Sequence, residues 1–219
     1  MNVRVVIDVE MCRVRTRGNR YPNKNEIIQI GAVMLNETYE MVSRFSTYVK
    51  PRYGKIDPFI ATLTGISERA IKNAPDIEAA LEEMLLWIGE NNVYFYSWSD
   101  NDYYQIRNEI QYKCSRNSRW EEMLDQSKWI DYQKEFGERL ESTRLYKLAE
   151  ALDLSEIDTE GNLHDGLDDA LNTARLIGKL EMHKNYRTVL ERIRENEEHQ
   201  APLTISLQNI LQGLELETA

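Results

Sequence analysis

Cysteine is nearly missing from this chain: its 219 residues hold two, Cys12 and Cys114, and they form no CxxC pair. That excludes a disulfide framework and makes a reducing cytoplasm the expected setting. Long apolar runs are missing too. No stretch approaches the roughly 20 residues needed to cross a bilayer, so no membrane partner is expected. The early Arg4 is followed by an apolar run that is short and ends in acids, which is not a signal-peptide pattern. An excess of positive charge is lacking as well: 27 Lys and Arg against 37 Asp and Glu leave a formal charge of −10. Broad, non-specific affinity for a polyanion is therefore disfavoured. Internal repeats and low-complexity segments are absent. What remains is a chain with 42% hydrophobic and 9% aromatic residues, enough to bury a core. Its length suits one domain with an appendage.

The rest of the chain is organised around residues 3–10, VRVVIDVE. Val3, Val5, Ile7 and Val9 share one parity and Val6 adds bulk to the other, the pattern of a strand buried on both faces. Such a strand does not carry acids unless they are paired or bind a metal. Asp8 and Glu10 sit two residues apart, so in a strand both project from one face. Two carboxylates aimed at one point can chelate a hard divalent cation. If the strand instead ends at Ile7, both are solvated loop residues. Directly behind them Arg13, Arg15, Arg17, Arg20 and Lys24 fall within twelve residues with no intervening acid. That run reads equally as a solvated loop or as a phosphate-contacting patch.

Further along, 26–35 and 39–49 read as two more strands joined by a tight turn at Asn36–Glu37, with Tyr39, Met41, Phe45 and Val49 on one parity. Pro51 ends this meander. A short helix starts at Pro58 and stops at Gly65, a turn follows at Ser67, and Asp76 leads into a helix with Ile77, Leu81, Leu85 and Ile88 at helical spacing. A short aromatic strand is expected at 93–97 and a helix capped by Asp100 or Asn101 running to about Cys114. Residues 115–128 read as polar and irregular, 129–132 as a short strand or extended crossing, 143–152 as a helix, and 166–180 as a long one. The order βββαβα followed by helices describes an α/β domain with strands of both senses, not a purely parallel sheet.

A second anchor is His164-Asp165-Gly166-Leu167-Asp168-Asp169. Asp165, with Asp168 three residues on, suits a helix cap near Gly166. His164 then lies on the lead-in loop and Asp169 about one turn inside. Were both helical they would diverge by about 140°; a lead-in histidine and a first-turn aspartate can instead address one spot.

Taken together, Asp8-Val9-Glu10, the segment Ser97-Trp98-Ser99-Asp100-Asn101-Asp102, and His164 five residues before Asp169 resemble the DEDDh 3′-to-5′ exonucleases. That superfamily includes the proofreading subunit of bacterial replicative polymerase and ribonuclease T. The Trp98 segment resembles the branch of KapD-like and small-RNA-trimming enzymes. Leu63-Thr64-Gly65-Ile66 matches the loop that closes on the terminal nucleotide in that family. The likeness spans about residues 1–182, in the right order and spacing. It implies an RNase H-like, mixed five-stranded sheet, an antiparallel meander plus parallel strands, flanked by helices. Residues 183–219 are left as a helical extension and apolar tail.

Carried over, the resemblance implies that Asp8, Glu10, Asp102 and Asp169 bind two divalent cations, Mg²⁺ or Mn²⁺, which suit an all-oxygen donor set. Spacing from Trp98 favours Asp102, with Asp100 as a helix cap; the reverse assignment stays open. His164 is implied as the general base on the attacking water. Leu63, Thr64 and Gly65 are implied on the substrate side; Met11 reads equally as a substrate contact or as packing, and Arg13, from the basic run, is expected to contact the substrate. The implied substrate is a single-stranded RNA or DNA 3′ end, trimmed to nucleoside 5′-monophosphates. The rival expectation is a non-catalytic subunit that keeps the fold to bind a nucleic-acid end or a polymerase. In the tail, Ile205, Leu207, Ile210, Leu211 and Leu214 form an apolar stripe, suited either to self-packing or to a homodimer or protein partner.

Overall fold

The computed structural model describes residues 2–14, 21–183 and 186–200. Its elements in chain order are β1 (Asn2–Val14), β2 (Asn25–Leu35), β3 (Met41–Tyr48), β4 (Gly54–Lys55), α1 (Pro58–Thr64), α2 (Glu68–Ile71), α3 (Ile77–Ile88), β5 (Asn92–Ser97) and α4 (Asn101–Lys113). There follow α5 (Ser118–Met123), β6 (Trp129–Asp131), α6 (Tyr132–Arg139), α7 (Leu148–Leu154), α8 (Gly166–His183) and α9 (Tyr186–Gln200).

β1 is central because both of its faces are apolar. Val5, Val6 and Ile7 are fully buried, Val5 and Ile7 against α3 and α4, and Val6 against the opposite layer of α6, α7 and α8. The strand order is β3-β2-β1-β5-β6. β2 and β3 run antiparallel to their neighbours, whereas β5 and β6 are parallel, so the mixed sheet expected from the strand order is present. To the five expected strands the structure adds β4, which pairs with Arg13 and Val14 at the far end of β1. Two residues carry no strand pattern, and β4 forms for a long-range reason. The buried carboxylate of Glu26 accepts hydrogen bonds from the backbone N–H groups of Arg52 (2.9 Å), Tyr53 (2.7 Å) and Gly54, drawing that segment against β1.

β1 runs on to Val14, past the expected end at Glu10, because β2 and β4 continue to pair with it there. The segment 115–128 is more regular than its polarity suggests. Trp120 and Met123 are buried and anchor α5, and the Trp120 indole N–H donates to the Ser115 carbonyl. Residues 129–131 form β6. α6 then follows at once, capped by Asp131 and seated by Tyr132 and Phe136, an i, i+4 pair that is fully buried. The helix expected over 143–152 starts only at Leu148, because Tyr146 turns into the core and Lys147 takes the N-cap position in an extended conformation. α9 lies on the α7–α8 layer through Val189, Leu190 and Ile193. The apolar stripe at 205–214 falls outside the described residues. Among the described residues, no helix is long and apolar enough to cross a membrane.

Candidate active site

Two helices, α4 and α8, converge on the second half of β1. The parallel pairing with β5 ends at Val6–Tyr96, so β1 outruns its neighbour and Asp8 and Glu10 emerge beyond the carboxyl end of β5. In open α/β sheets this crevice is where ligands bind. Both side chains are half-buried on one face, as their spacing requires.

α4 supplies the third acid. The Val9 backbone N–H donates to Asp102 Oδ1 at 3.1 Å, which holds Asp102 against the strand between Asp8 and Glu10. Asp102 is buried. Asp100 occupies the N-cap position of α4 without a capping bond, and its carboxylate meets Lys134 Nζ at 2.9 Å on the surface. Geometry therefore assigns the site-facing role to Asp102. Below it, Gln105, Glu109 and Lys113 recur at i+3 and i+4 along the same buried stripe. Gln105 donates to the Asn25 carbonyl (3.1 Å), the Ile27 N–H donates to Glu109 (3.0 Å), and Lys113 bridges Glu109 and Glu26. This ladder fixes how deep α4 sits on β1 and β2, and so where Asp102 lies. Sequence reasoning missed it, although the 102/105/109/113 spacing and two polar residues inside β2, Glu26 and Gln29, carried the signal. Replacing Lys113 by Met leaves two buried carboxylates without their cation. A loss of about 3 kcal/mol in urea unfolding is expected; a loss below about 1 kcal/mol would show that the ladder contributes little.

α8 brings the fourth acid and the histidine. Gly31 on β2 and Gly166 at the start of α8 touch backbone to backbone, so a Cβ on Gly31 would fall within the main chain of Gly166 and Leu167. Gln29, buried in β2, grips the same point. Its Oε1 accepts from Gly166 N–H (3.0 Å) and its Nε2 donates to Asp165 (3.1 Å). Asp165 caps the helix, accepting from the N–H groups of Leu167 and Asp168. Asp168 turns instead to the Asn162 N–H (2.7 Å). His164 stands on the lead-in with φ of 68°, a left-handed conformation costly for a residue with a Cβ. In that conformation its N–H donates to Asp169 Oδ2 at 2.9 Å. Glu10, His164 and Asp169 each present a ligand atom within 4.8 Å of the others.

The electrostatics are those of crowded like charges. Burial, then Asp102, Asp169, Glu10 and Asp165, push Asp8 well above the usual carboxylate range. Burial followed by Asp169, Asp102 and Asp165 raises Glu10 to about 8. Burial raises Asp102 to about 7 against the pull of its bond from Val9. Asp169 is raised by burial and held back by His164. Asp169 Oδ1 is buried with no hydrogen-bond partner. An unpartnered buried carboxylate oxygen beside three more acids fits bound cations, and the oxygen donors suit a hard divalent ion.

Around the residues expected to meet substrate, α1 packs on β1 through Ile60 and Cys12. Leu63 and the left-handed Gly65 are exposed, while the Thr64 hydroxyl is buried, donating to the Ile60 carbonyl and accepting from Ile66 N–H. Met11 is half-buried against the α3–α4 layer, and the Arg13 guanidinium lies 5.7 Å from the Phe59 ring centroid. Of the basic run, Arg13 and Lys24 are placed; Arg15, Arg17 and Arg20 fall outside the described residues.

The model of the RNase T exonuclease family matches residues 5–177, which span every one of these site residues. The chain belongs to that family. Among relatives of this exonuclease family, mouse 3′-5′ exoribonuclease 1 is 28% identical over 165 residues, covering 73% of this chain and 48% of that protein. Human ERI1 exoribonuclease 2 is 28% identical over 200 residues, covering 80% of this chain and 28% of that protein. The chain thus spans about half the length, or less, of these curated relatives. The solved nuclease domain of 3′hExo, a DEDDh family member bound to rAMP, shares the fold with a TM-score of 0.69 at 24% identity, over 83% of this chain and 92% of that one. E. coli Exonuclease I in complex with a dT13 oligonucleotide shares it with a TM-score of 0.64 at 13% identity, over 87% of this chain and 46% of that one.

Proposed function

We propose that this chain is a two-metal 3′-to-5′ exonuclease acting on single-stranded nucleic-acid ends and releasing nucleoside 5′-monophosphates. The observation that carries it is the convergence of Asp8, Glu10, Asp102, Asp169 and His164 from three elements around an unpartnered buried Asp169 oxygen. Asp8, Glu10, Asp102 and Asp169 would hold two Mg²⁺ or Mn²⁺ ions. Such ions, when bound, stabilise the attacking and leaving oxygens of an in-line displacement at phosphorus. His164 stands exposed at the rim, and a ring nitrogen takes the proton from the attacking water. Its backbone bond to Asp169 holds the main chain from which the imidazole is aimed. Leu63, Gly65 and Met11 line the approach of the terminal nucleotide, and Arg13, farther along β1, meets phosphates of the strand. The relatives named exoribonucleases support an RNA end as substrate, and the two unpaired cysteines agree with a reducing cytoplasm.

The test uses 5′-labelled single-stranded RNA and DNA with Mn²⁺, with Mg²⁺ and with EDTA. A ladder shortening from the 3′ end, abolished by EDTA, is expected. Intact strands in every lane from folded protein that still binds them would favour a binding subunit.

Metal should also stabilise the fold in a pH-dependent way. With Glu10 at about 8, Asp102 at about 7, and Asp8 and Asp169 also raised, the metal-free fold keeps protons that the unfolded chain releases. Its stability therefore falls as pH rises from the ordinary carboxylate range towards 8. Metal replaces those protons, so it stabilises more at pH 8 than at pH 5.5. At about a hundredfold excess over Kd, Mn²⁺ should raise the Tm by roughly 5–10 °C at pH 8. An equal shift at both pH values would contradict the carboxylate assignment.

A further inference from the structure

Resting on the exonuclease reading, we propose a second nucleic-acid contact: a basic strip at the far end of β1 that holds the strand on the 5′ side of the reacting end. Arg13 and Lys55 are direct cross-strand partners in the β1–β4 pair. Two like charges placed opposite each other destabilise a sheet unless something neutralises them. Arg52 lies just before β4. Lys24 is brought alongside by the bond from Val14 N–H to its carbonyl (2.8 Å). Arg13, Lys24, Arg52 and Lys55 are all exposed. Among the described residues none of them makes an ion pair.

The nearby acids form no ion pair with these cations, since each is turned to other partners, Glu26 to Lys113 as well as to backbone donors. Glu26 is buried beneath the strip and takes the N–H groups of residues 52–54, Asp57 caps α1 through Ile60 N–H, and Glu68 accepts from Ile56 N–H. In a chain of net charge −10, four exposed cations without an ion pair on one patch mark a site for a polyanion. Phe59, 60% exposed, adds a ring face beside Arg13. An exposed ring among cations is how single strands are held without regard to sequence, by stacking and phosphate contact.

Position gives the direction. Arg13 is three residues beyond Glu10 on the same strand, about 10 Å away. A strand whose 3′ end lies at the carboxylates leaves by its 5′ side and meets the strip within a few nucleotides. The contacts go to phosphates, so RNA and DNA of one sequence should feel the strip alike. The strip also meets the objection raised by the acidic composition: affinity for the strand is local, not spread over the surface.

The test is binding of labelled RNA and DNA single strands of about twelve nucleotides, followed by fluorescence anisotropy in EDTA so that no turnover intervenes. R52E/K55E should weaken binding of both about tenfold at low salt and reduce the slope of log K against log salt by about 1.4. R52Q/K55Q should lose less, in the same direction. K147E/R187E, an equal charge change elsewhere on the surface, should bind as the unmodified protein does. If R52E/K55E binds with unchanged Kd and slope, the strip is overturned. The exonuclease reading is judged separately, by shortening of the same strands with Mn²⁺. Cleavage with unaffected R52E/K55E binding removes the strip alone. Binding lost in R52E/K55E without cleavage by the unmodified protein keeps the strip and removes the exonuclease.

Discussion

Asp8→Asn is expected to abolish strand shortening, by at least about 10³-fold in kcat or about 4 kcal/mol of barrier, while making the metal-free protein more stable. The two effects have one cause. Asp8 sits where burial and the charges of Asp102, Asp169, Glu10 and Asp165 all oppose its ionisation. Asparagine keeps the shape and removes the charge, so the metal-free site loses one of its crowded like charges and the Tm should rise by a few degrees. The gain appears only where the carboxylates would otherwise be ionised, so it should be larger at pH 8 than at pH 5.5. The stabilisation by Mn²⁺ should shrink, since one ligand is gone. Calorimetry with and without Mn²⁺, run beside time courses of 3′ shortening, reads all three. A variant that keeps more than a tenth of the activity would place the chemistry elsewhere. One that loses activity and stability together would mean that Asp8 is a structural residue.

Gly31→Ala should be the most destabilising single methyl in the molecule. Its Cβ would fall within the backbone of Gly166 and Leu167, where no flexible side chain can move aside. Helix α8 has to lift from β2, breaking both Gln29 bonds and carrying Asp169 and His164 with it. A loss above about 4 kcal/mol in urea unfolding is expected, in the range reserved for such specific lesions. Any protein that still folds should have lost its response to Mn²⁺. Gly166→Ala is the informative comparison. A Cβ there meets the Asp8 carbonyl at 3.2 Å and Gly31 N at 3.4 Å, contacts relieved by shifts of a few tenths of an ångström. Its cost should be about 1–2 kcal/mol. Equal effects at the two glycines would mean that α8 does not depend on this close approach.

Much of this architecture was legible beforehand because the pattern was local. β1 alternates apolar residues up to two acids, Asp8 and Glu10, and α3 announces itself by Asp76 and the spacing of Ile77, Leu81, Leu85 and Ile88. α1 begins at Pro58 and ends at a left-handed Gly65. The short elements were harder. β4 has no pattern of its own, since it exists because Glu26, 28 positions earlier than Gly54, captures three backbone N–H groups. α6 was overlooked despite the Asp131 cap, because its eight residues carry too few apolar positions to show a helical period.

The site divides the same way. From the sequence came Asp8, Glu10, His164 and Asp169 in their order, through resemblance to an exonuclease family, with the remaining acid left open between Asp100 and Asp102. Given a strand that runs through Glu10, its period of two also put Asp8 and Glu10 on one face. Only the tertiary structure decided between Asp100 and Asp102, through the bond from Val9 N–H and the surface pairing of Asp100 with Lys134. It alone showed that Gly31 and Gly166 must touch for α8 to reach β1, and that Lys55 stands against Arg13. Those facts depend on contacts between segments 34 to 135 residues apart, and a local pattern carries no information about which distant backbone will lie against it.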